Sequence, residues 1–298
     1  MNKLTKEQFE LAGQFLMNSG RALERALFEY EFGSGSQEAV LEALSAYQND
    51  DGGFGHGLES DLRSPQSSAL ATTVGLQHLS GIGLDGGHEM VRRAIQYFIQ
   101  TYDPVIAGWE IIPVTAAEAP RAIWWEYPAF TKEWGNPGAE ITGYFHLYSD
   151  LVPNKLLDSV TSYAVDYLNT RCALDEMHEM LCFVRLADQL PVDTYNQIAV
   201  KLNEFMDNCV VMHAADRQPY GAYPLQIVDS PASRYFAKYS SVIPHDLDML
   251  LTQQGEDGAW PVNWAWGRYD EEWQKAELEL KGVMTLQALR TLRAFGRL

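Results

Sequence analysis

The chain has 298 residues, of which 46% are hydrophobic, and its 40 acidic and 22 basic residues give a formal net charge of −18. Such an apolar fraction is typical of a globular protein with a substantial core. The acidic excess repels phosphate backbones and anionic lipid, which argues against nucleic acid as a partner. The first residues lack the apolar core of a signal peptide, and no apolar run approaches the ~20 residues of a membrane span. We therefore expect a cytoplasmic protein without membrane insertion, whose oligomeric state the sequence leaves open.

Apolar side chains recur at helical spacing in several segments that carry polar or charged residues on the opposite side. This periodicity predicts amphipathic helices with one exposed face. The segments lie at residues 9–30, 40–47, 91–98, 156–167 and 198–209. Ser36 stands shortly before the second segment and is a candidate N-cap.

A second kind of segment carries almost no charge. Residues 64–84 contain no Asp, Glu, Lys or Arg, and residues 138–148 contain one charged residue, Glu140. A helix that is apolar or small on every side has to be enclosed by other elements. The sequence therefore predicts that half-exposed helices alternate with enclosed helices.

Two loops near opposite ends of the chain share a signature. Each reads Gln, three residues, Gly, one residue, aromatic, and the two copies stand at residues 48–54 and 254–260. Fragments of the signature recur at residues 108–109 and 221–223. The half-exposed helices end about 50 residues apart, a step typical of helical-hairpin repeats. We predict five or six hairpins in a single domain that spans residues 1–298.

This signature resembles the QW motif of squalene and oxidosqualene cyclases, which share the α/α-toroid superfamily with the β-subunits of protein prenyltransferases. The Ser- and Pro-containing run at 64–71 is similar to the entry into the enclosed helix that follows the motif in the cyclases. Residues 51–63 and 281–297 resemble segments of a group of uncharacterised bacterial proteins. The resemblance implies an all-α fold, an α/α toroid in which enclosed helices form an inner barrel and amphipathic helices an outer barrel.

The residue types of the repeated loop indicate a structural role. A Gln at the end of a helix can bond to backbone groups left open at a neighbouring helix terminus. Glycines permit the positive φ of a sharp turn, and an aromatic ring can fill the gap between adjacent hairpins. We therefore expect Phe54 and Trp260 to stabilise the fold.

The acid and metal motifs that the resemblance would imply are missing. The cyclases begin their reaction at Asp-x-Asp-Asp, whereas residues 246–249 read Asp-Leu-Asp-Met, which we interpret as acids at a helix N-terminus. The prenyltransferases bind zinc through Asp-x-Cys and a distant His, and no Asp-x-Cys occurs here. His178 and Cys182 share a helix face, but such spacing arises easily by chance. We predict no metal, no cofactor and reduced thiols at Cys182, Cys172 and Cys209.

Polar groups precede or open the predicted enclosed helices, whose N-termini would converge on one end of a central cavity. The candidate catalytic residues are Asp61, Glu59 and Glu279, because paired carboxylates can divide acid and base roles. The candidate substrate-binding residues are polar groups at the helix starts and tryptophans of the long loops: Arg63, His56, Glu140, Glu277, Trp124, Trp125, Trp264 and Trp266. The structural alternative is a salt bridge between Asp61 and Arg63, with the glutamates capping helices.

Three functions remain open from the sequence. The first is a protein that resembles terpenoid cyclases and binds or transforms a small molecule in an acidic, aromatic-walled cavity. The second is a carbohydrate-directed hydrolase, lyase or isomerase, because flat aromatic rings beside carboxylates suit a sugar. The third is a non-catalytic scaffold that keeps only the fold. The expected partner is a small-molecule ligand in the first two cases.

Overall fold

The computed structural model describes residues 2–218 and 220–298. These residues form thirteen α-helices and no β-strand, which confirms the all-α prediction. In this described part of the chain, no helix combines the length and the apolar character that crossing a bilayer demands. In chain order the helices are α1 (Lys6–Ser19), α2 (Ala22–Phe32), α3 (Gln37–Ser45), α4 (Ala69–Gly81), α5 (Glu89–Thr101), α6 (Gly135–Leu147), α7 (Asn154–Thr170), α8 (Met177–Gln189), α9 (Val192–Cys209), α10 (Pro224–Ile227), α11 (Phe236–Tyr239), α12 (Ile243–Thr252) and α13 (Asp270–Ala294).

The chain divides into two compact units. Unit 1 joins residues 1–44 to residues 210–298 and contains α1, α2 and α10 to α13. Unit 2 comprises residues 45–209 and contains α4 to α9, and α3 ends at the boundary. Ser36 Oγ accepts a hydrogen bond from the N–H of Ala39 (3.3 Å), as expected for the N-cap of α3. The prediction of a single domain over residues 1–298 is not tested by this division.

Unit 2 contains both predicted kinds of helix. In α6, every residue from Gly135 to Phe145 is buried, and α4 and α8 bury side chains on most of their circumference. In α5, by contrast, apolar side chains such as Val91 and Phe98 are buried while Arg92 is exposed. Helices α7 and α9 show the same one-sided burial. Half-exposed and enclosed helices therefore alternate along unit 2.

Helices α6 and α8 run parallel through the interior of unit 2. Near their first residues, the N–H of Gly135 in α6 donates to Glu179 Oε1 in α8 (2.7 Å). Towards their last residues, Gly143 packs closely against the backbone of Leu186, where a side chain on the glycine would not fit without a shift. The two helices therefore begin at one end of the unit and finish at the other.

Helix α4 has the same direction as α6. Tyr148, which follows α6, donates its hydroxyl to the carbonyl of Leu84, which follows α4 (3.3 Å). At the opposite end, the N–H of Leu70 in the first turn of α4 donates to the carbonyl of Ile111 in the loop between α5 and α6 (3.0 Å). The N-termini of the three enclosed helices of unit 2 therefore lie at the same end of the unit. The loop between α5 and α6 contacts that end through Ile111.

Unit 1 is built around the 25-residue helix α13, which packs against α1 and α2. The segments before α1 and after α13 meet: the N–H of Leu4 donates to the carbonyl of Arg297 (2.8 Å), and Lys3 Nζ donates to the carbonyl of Leu298 (2.9 Å). Helix α13 is therefore followed in space by α1, although no covalent link joins them there.

The repeated loop of unit 2 joins three helices through side chains. Gln48 Nε2 donates to the carbonyl of Gly52 within the loop (2.9 Å) and to the carbonyl of Met90 in the first turn of α5 (3.0 Å). The N–H of Phe54 donates to Thr72 Oγ1 in the enclosed helix α4 (3.0 Å). The loop after α3 is thus fixed to the next enclosed helix and to the next half-exposed helix.

The repeated loop of unit 1 makes the same contacts. Gln254 Nε2 donates to the carbonyl of Gly258 (2.9 Å) and to the carbonyl of Gln8 in the first turn of α1 (2.8 Å). The N–H of Trp260 donates to Thr285 Oγ1 in α13 (3.0 Å). In these bonds α13 takes the position that α4 has in unit 2, and α1 takes the position of α5.

The glycines of the two loops are required by the backbone. Gly52 and Gly258 have φ values of +91° and +87°, in the region that side-chain-bearing residues rarely adopt. A Cβ atom at Gly52 would also lie 2.4 Å from the carbonyl oxygen of Arg93, and one at Gly258 would lie 2.5 Å from that of Leu11. The turn and the approach to the neighbouring helix both need the bare backbone of glycine.

The aromatic residues of the loops are buried, as their predicted structural role requires. Phe54 is 0% exposed and Trp260 is 2% exposed. The predicted partner of the glutamines was wrong in one respect, because Met90 and Gln8 offer carbonyl groups in the first turn of a helix. The carbonyls that a helix leaves open lie in its last turn. The glutamines therefore bond to carbonyls inside the helix and do not cap its end.

Candidate functional site

The predicted catalytic residues Asp61 and Glu59 lie in the loop before α4. This loop pairs with a second segment: the N–H of Arg63 donates to the carbonyl of Pro120 (2.9 Å), and the N–H of Ala122 donates to the carbonyl of Asp61 (2.8 Å). Asp61 is 6% exposed. Glu59 is half-buried, and its Oε1 accepts the N–H of Asp61 (3.3 Å). The Glu59 carboxylate therefore holds local backbone, and Asp61 is shielded from solvent.

Two of the predicted tryptophans belong to the segment that pairs with this loop. Trp124 is half-buried and Trp125 is buried, and both lie in the 3-10 turn Ile123–Trp125. The Trp125 ring lies 5.4 Å from that of Phe130, which in turn lies 6.1 Å from the ring of His178 in the first turn of α8. The structure therefore brings five predicted residues into one region of unit 2: Asp61, Glu59, Arg63, Trp124 and Trp125.

Glu140 is the centre of a polar network among the enclosed helices, and it is 3% exposed. Its Oε1 accepts hydrogen bonds from Gln77 Nε2 in α4 (2.8 Å) and from the Tyr144 hydroxyl in α6 (3.0 Å). Its Oε2 accepts from Arg185 Nη1 in α8 (3.1 Å). Asn136 has non-helical φ and ψ and kinks α6, so Glu140 lies about one turn after the kink, near the start of the regular helix, as predicted. One carboxylate thus links all three enclosed helices.

The two members of this ion pair differ in exposure. The Glu140 side chain is 4% exposed, whereas the Arg185 side chain is 44% exposed. Among the described residues, Glu140 is the only acceptor of the Arg185 guanidinium. Sequence analysis missed Arg185, although a signal was present, because it is the only Lys or Arg between residues 172 and 200. The pair thus joins a buried acceptor to a partly exposed arginine side chain.

Cys182 lies beside the same carboxylate, with its Sγ 3.7 Å from Glu140 Oε2. Burial and the nearby Glu140 charge raise the pKa of the Cys182 thiol well above its usual range. Burial, followed by the Glu140 charge, likewise raises the pKa of the Tyr144 hydroxyl. Both groups therefore remain protonated at neutral pH and act as hydrogen-bond donors.

His178 and Cys182 contact different partners. His178 Nδ1 lies 2.5 Å from Oε1 of Glu176, whereas the Cys182 thiol faces Glu140 and Asn136. Within residues 2–218 and 220–298 no three His, Cys, Asp or Glu side chains are grouped so that they could hold a metal ion. All three cysteines are free thiols.

Glu277 and Glu279 lie in unit 1, inside α13. This helix begins at Asp270, so the two glutamates are about two turns from its start. The prediction that they precede or open the helix was wrong. Residues two positions apart on a helix point roughly 200° away from each other. The two carboxylates therefore cannot face the same side of α13.

Trp264 and Trp266 belong to the loop before α13. The half-buried Trp264 ring lies 5.8 Å from the ring of Tyr220, and the buried Trp266 ring lies 5.7 Å from that of Trp273. Aromatic pairs at such distances stabilise the segments that carry them. Each of these tryptophans thus has an aromatic partner within unit 1.

The acids of the 246–249 string take part in ion pairs of unit 1. Asp246, in the first turn of α12, is 3% exposed, and its Oδ2 accepts from Arg217 Nη2 (2.8 Å). Asp248 Oδ1 accepts from Arg297 Nη1 (2.7 Å). These contacts agree with the interpretation of the two acids as structural groups near the start of a helix.

His56 lies in the same loop as Asp61, beside Gly57, where an added Cβ atom would lie 3.2 Å from Arg63 Cζ. The His56 side chain is exposed, and its Nε2 lies 2.8 Å from Oδ1 of Asn49 in the repeated loop. Together His56 and Asn49 line an open pocket of about 380 Å³ on unit 2.

Comparison of the chain with models of protein families, with curated proteins and with solved structures finds no match. The Glu140 network draws on all three enclosed helices of unit 2.

Proposed function

We propose that this chain is an α/α toroid of the terpenoid-cyclase type, built from five or six helical hairpins. Support comes from the repeated loops, each of which bonds to an enclosed helix and to the next half-exposed helix. In unit 1 that next helix is α1, reached across the contact between the segments before α1 and after α13. A closed ring of stacked hairpins needs such a junction, because each repeat contacts only its neighbours.

We infer that the protein binds a small molecule against its enclosed helices, with Arg185 as the main polar contact. One observation carries this inference: Glu140 is a buried anchor, and the Arg185 side chain that it holds is 44% exposed. Placing an ion pair among apolar helices costs desolvation free energy, which ligand binding would offset. A guanidinium fixed through one N–H group keeps other donors for a planar or tetrahedral oxyanion.

The ligand class that fits best is an isoprenoid diphosphate. Its hydrocarbon chain would contact apolar side chains of the enclosed helices, and its diphosphate would accept from Arg185. Tyr144 and Cys182 each direct their single donor hydrogen at Glu140 and so help to hold the anchor of Arg185. Catalytic roles for Asp61, Glu59 and Glu279 stay predictions.

The test is a thermal-shift series with the whole chain. Isoprenoid diphosphates of increasing chain length and a series of oligosaccharides are added to the wild type, to Arg185→Met and to Arg171→Met. Arg171 is the matched control, because its side chain is also 44% exposed and also forms an ion pair, with Asp166. We expect the diphosphates to raise the melting temperature of the wild type and of Arg171→Met, with the shift lost in Arg185→Met.

Three other results would contradict this proposal. An equal loss in both arginine variants would assign binding to net charge and would remove Arg185 from the site. A shift with oligosaccharides alone would favour the carbohydrate-directed alternative. If neither series raises the melting temperature of the wild type, the binding proposal fails and the non-catalytic scaffold is favoured.

A further inference from the structure

The pocket beside His56 contains the carboxylate of Asp51, of which only Oδ1 accepts hydrogen bonds from the described residues. Asp51 Oδ1 accepts hydrogen bonds from Ser67 Oγ (2.7 Å) and from the N–H of Gly53 (3.0 Å). The Asp51 side chain is exposed, and it forms no ion pair with any residue in 2–218 or 220–298. Asn49 Nδ2 donates to Ser67 Oγ (2.9 Å), and the rings of Pro65 and Pro113 complete the wall.

The repeated loop of unit 1 carries the equivalent carboxylate, and there it binds an ammonium group. Asp257 Oδ1 accepts the N–H of Ala259 (3.1 Å), as Asp51 Oδ1 accepts that of Gly53. The second oxygen, Asp257 Oδ2, accepts from Lys281 Nζ. Partial burial alone would raise the pKa of Asp257, but the hydrogen bonds from Lys281 and from the backbone lower it. The loop geometry thus leaves the second oxygen open to a cation.

The hydrogen bonds of the enclosed helices identify the position equivalent to Lys281. In unit 1, Thr285 Oγ1 accepts from Trp260 and donates to the carbonyl of Lys281. In unit 2, Thr72 Oγ1 accepts from Phe54 and donates to the carbonyl of Ser68. Ser68 therefore occupies the place of the lysine.

A serine at this place cannot supply the missing cation. Ser68 Oγ accepts the N–H of Ala71 at the start of α4 (3.0 Å), so the side chain caps the helix and carries no charge. In unit 1, Lys281 supplies a long side chain and an ammonium group. The corresponding site of unit 2 has neither. An open pocket of about 380 Å³ lies beside the carboxylate instead.

We infer that this pocket binds a small aliphatic primary amine, whose ammonium group donates to Asp51 as Lys281 donates to Asp257. The two proline rings offer an apolar wall for the alkyl chain, and Ser67 and Asn49 offer polar atoms beside the ammonium group. The net charge of −18 raises the local concentration of cations. This site does not use Glu140 or Arg185. Its test is therefore independent of the test of the ligand proposed for them.

The test measures binding of pentylamine, an alkylammonium ion at neutral pH, by NMR titration of the whole chain, with 1-pentanol as the uncharged probe of similar shape. Asp51→Asn is the informative variant, because an amide oxygen still accepts from Ser67 and Gly53 and the loop keeps its structure. Asp166→Asn is the matched control, since Asp166 lines another open pocket of unit 2, of about 460 Å³, and its replacement removes the same charge.

We expect pentylamine to shift the signals of Asp51, His56 and Ser67, and Asp51→Asn to weaken its binding about tenfold, as for loss of a charged hydrogen bond. Asp166→Asn should change the dissociation constant by less than about twofold, and 1-pentanol should bind more weakly than pentylamine. Equal weakening by both substitutions would mean that the amine follows net charge. Equal binding of alcohol and amine, or shifts confined to other residues, would also overturn the inference.

Discussion

Gln254 Nε2 donates a hydrogen bond to the carbonyl of Gln8 across 2.8 Å, although the two residues lie 246 positions apart in the chain. Gln254→Ala removes this bond and the bond to Gly258, and we expect the free energy of unfolding to fall by about 2 kcal/mol. Gln48→Ala should have a similar effect, because Gln48 makes the equivalent two bonds. Urea denaturation measures both.

The control for the glutamine substitutions is Gln253→Ala, because this neighbouring side chain is exposed. We expect its effect to stay within about 0.5 kcal/mol. If Gln254→Ala and Gln253→Ala lower the free energy of unfolding equally, the bond to Gln8 contributes nothing measurable.

Gly75 in α4 faces the ring of Phe54, and a Cβ atom there would lie 2.6 Å from the ring. We expect Gly75→Ala to lower the free energy of unfolding by about 1–3 kcal/mol through overpacking, despite a helix-propensity gain of about 1 kcal/mol. Gly81→Ala in the same helix is the control, because no atom lies within 4 Å of its added Cβ, and it should be neutral or stabilising. Thermal unfolding measures both variants. Equal melting temperatures would show that the Phe54 ring moves to accommodate the added methyl group.

Glu140→Ala removes the shared acceptor of Gln77, Tyr144 and Arg185. We expect a loss of about 2–3 kcal/mol in the free energy of unfolding, less than for a fully buried pair because Arg185 is partly solvated. Tyr144→Phe should cost about 1 kcal/mol. Denaturant unfolding of each variant gives these values.

A double-mutant cycle separates the ion pair from the rest of the network. Glu140→Ala combined with Arg185→Met should show a coupling of at least about 1 kcal/mol. The exposed pair Lys201–Glu204 is the reference, with an expected coupling of about 0.3–0.5 kcal/mol. A coupling no larger than this reference would contradict the anchoring role of Glu140.

Stability should fall with rising pH in the alkaline range because of Cys172. Burial, with the Glu179 charge second, raises the pKa of this thiol from 9.0 to about 12. Above pH 9 the unfolded chain loses this proton while the folded chain keeps it, so the contribution to stability is present below pH 9 and is lost as pH rises towards 12. Cys172→Ser keeps a hydroxyl donor for Glu179 but does not titrate there.

The measurement for this prediction is urea unfolding of the wild type and of Cys172→Ser at pH 7 and at several alkaline values. The decline of the free energy of unfolding should be shallower in the variant. Parallel declines would mean that the thiol ionises as readily in the folded chain as in the unfolded one.

Much of the helical pattern could be predicted because burial leaves a periodic trace in the residue types. One-sided apolar spacing marked α5, α7 and α9, and the absence of charge marked α4. The start of α13 was missed, since its first turns are rich in charge and resemble a loop. A signal was present: Asp270, Glu271 and Glu272 fill the first turn, where acids interact favourably with the helix dipole.

The candidate site was less accessible to sequence analysis. Glu140 could be selected because it is the only charge in its segment. Its partners Gln77 and Arg185 lie 63 and 45 positions away, and their contacts depend on how three helices pack. No local pattern encodes that packing. The placement of Asp61 beside Ala122 is likewise a product of tertiary structure.

The loops at 48–54 and 254–260 have in common only Gln, Asp and Gly, together with the aromatic character of the last residue. The side chains that bond in the joint are the same, a Gln and a Thr, whereas residues that contribute only backbone atoms or lie beside the joint differ: Met90 and Gln8, Phe54 and Trp260, Ser68 and Lys281. Duplication of one hairpin, followed by substitutions outside the bonding side chains, would leave this pattern. An ancestor made of identical hairpins would already have been held together by this single glutamine joint.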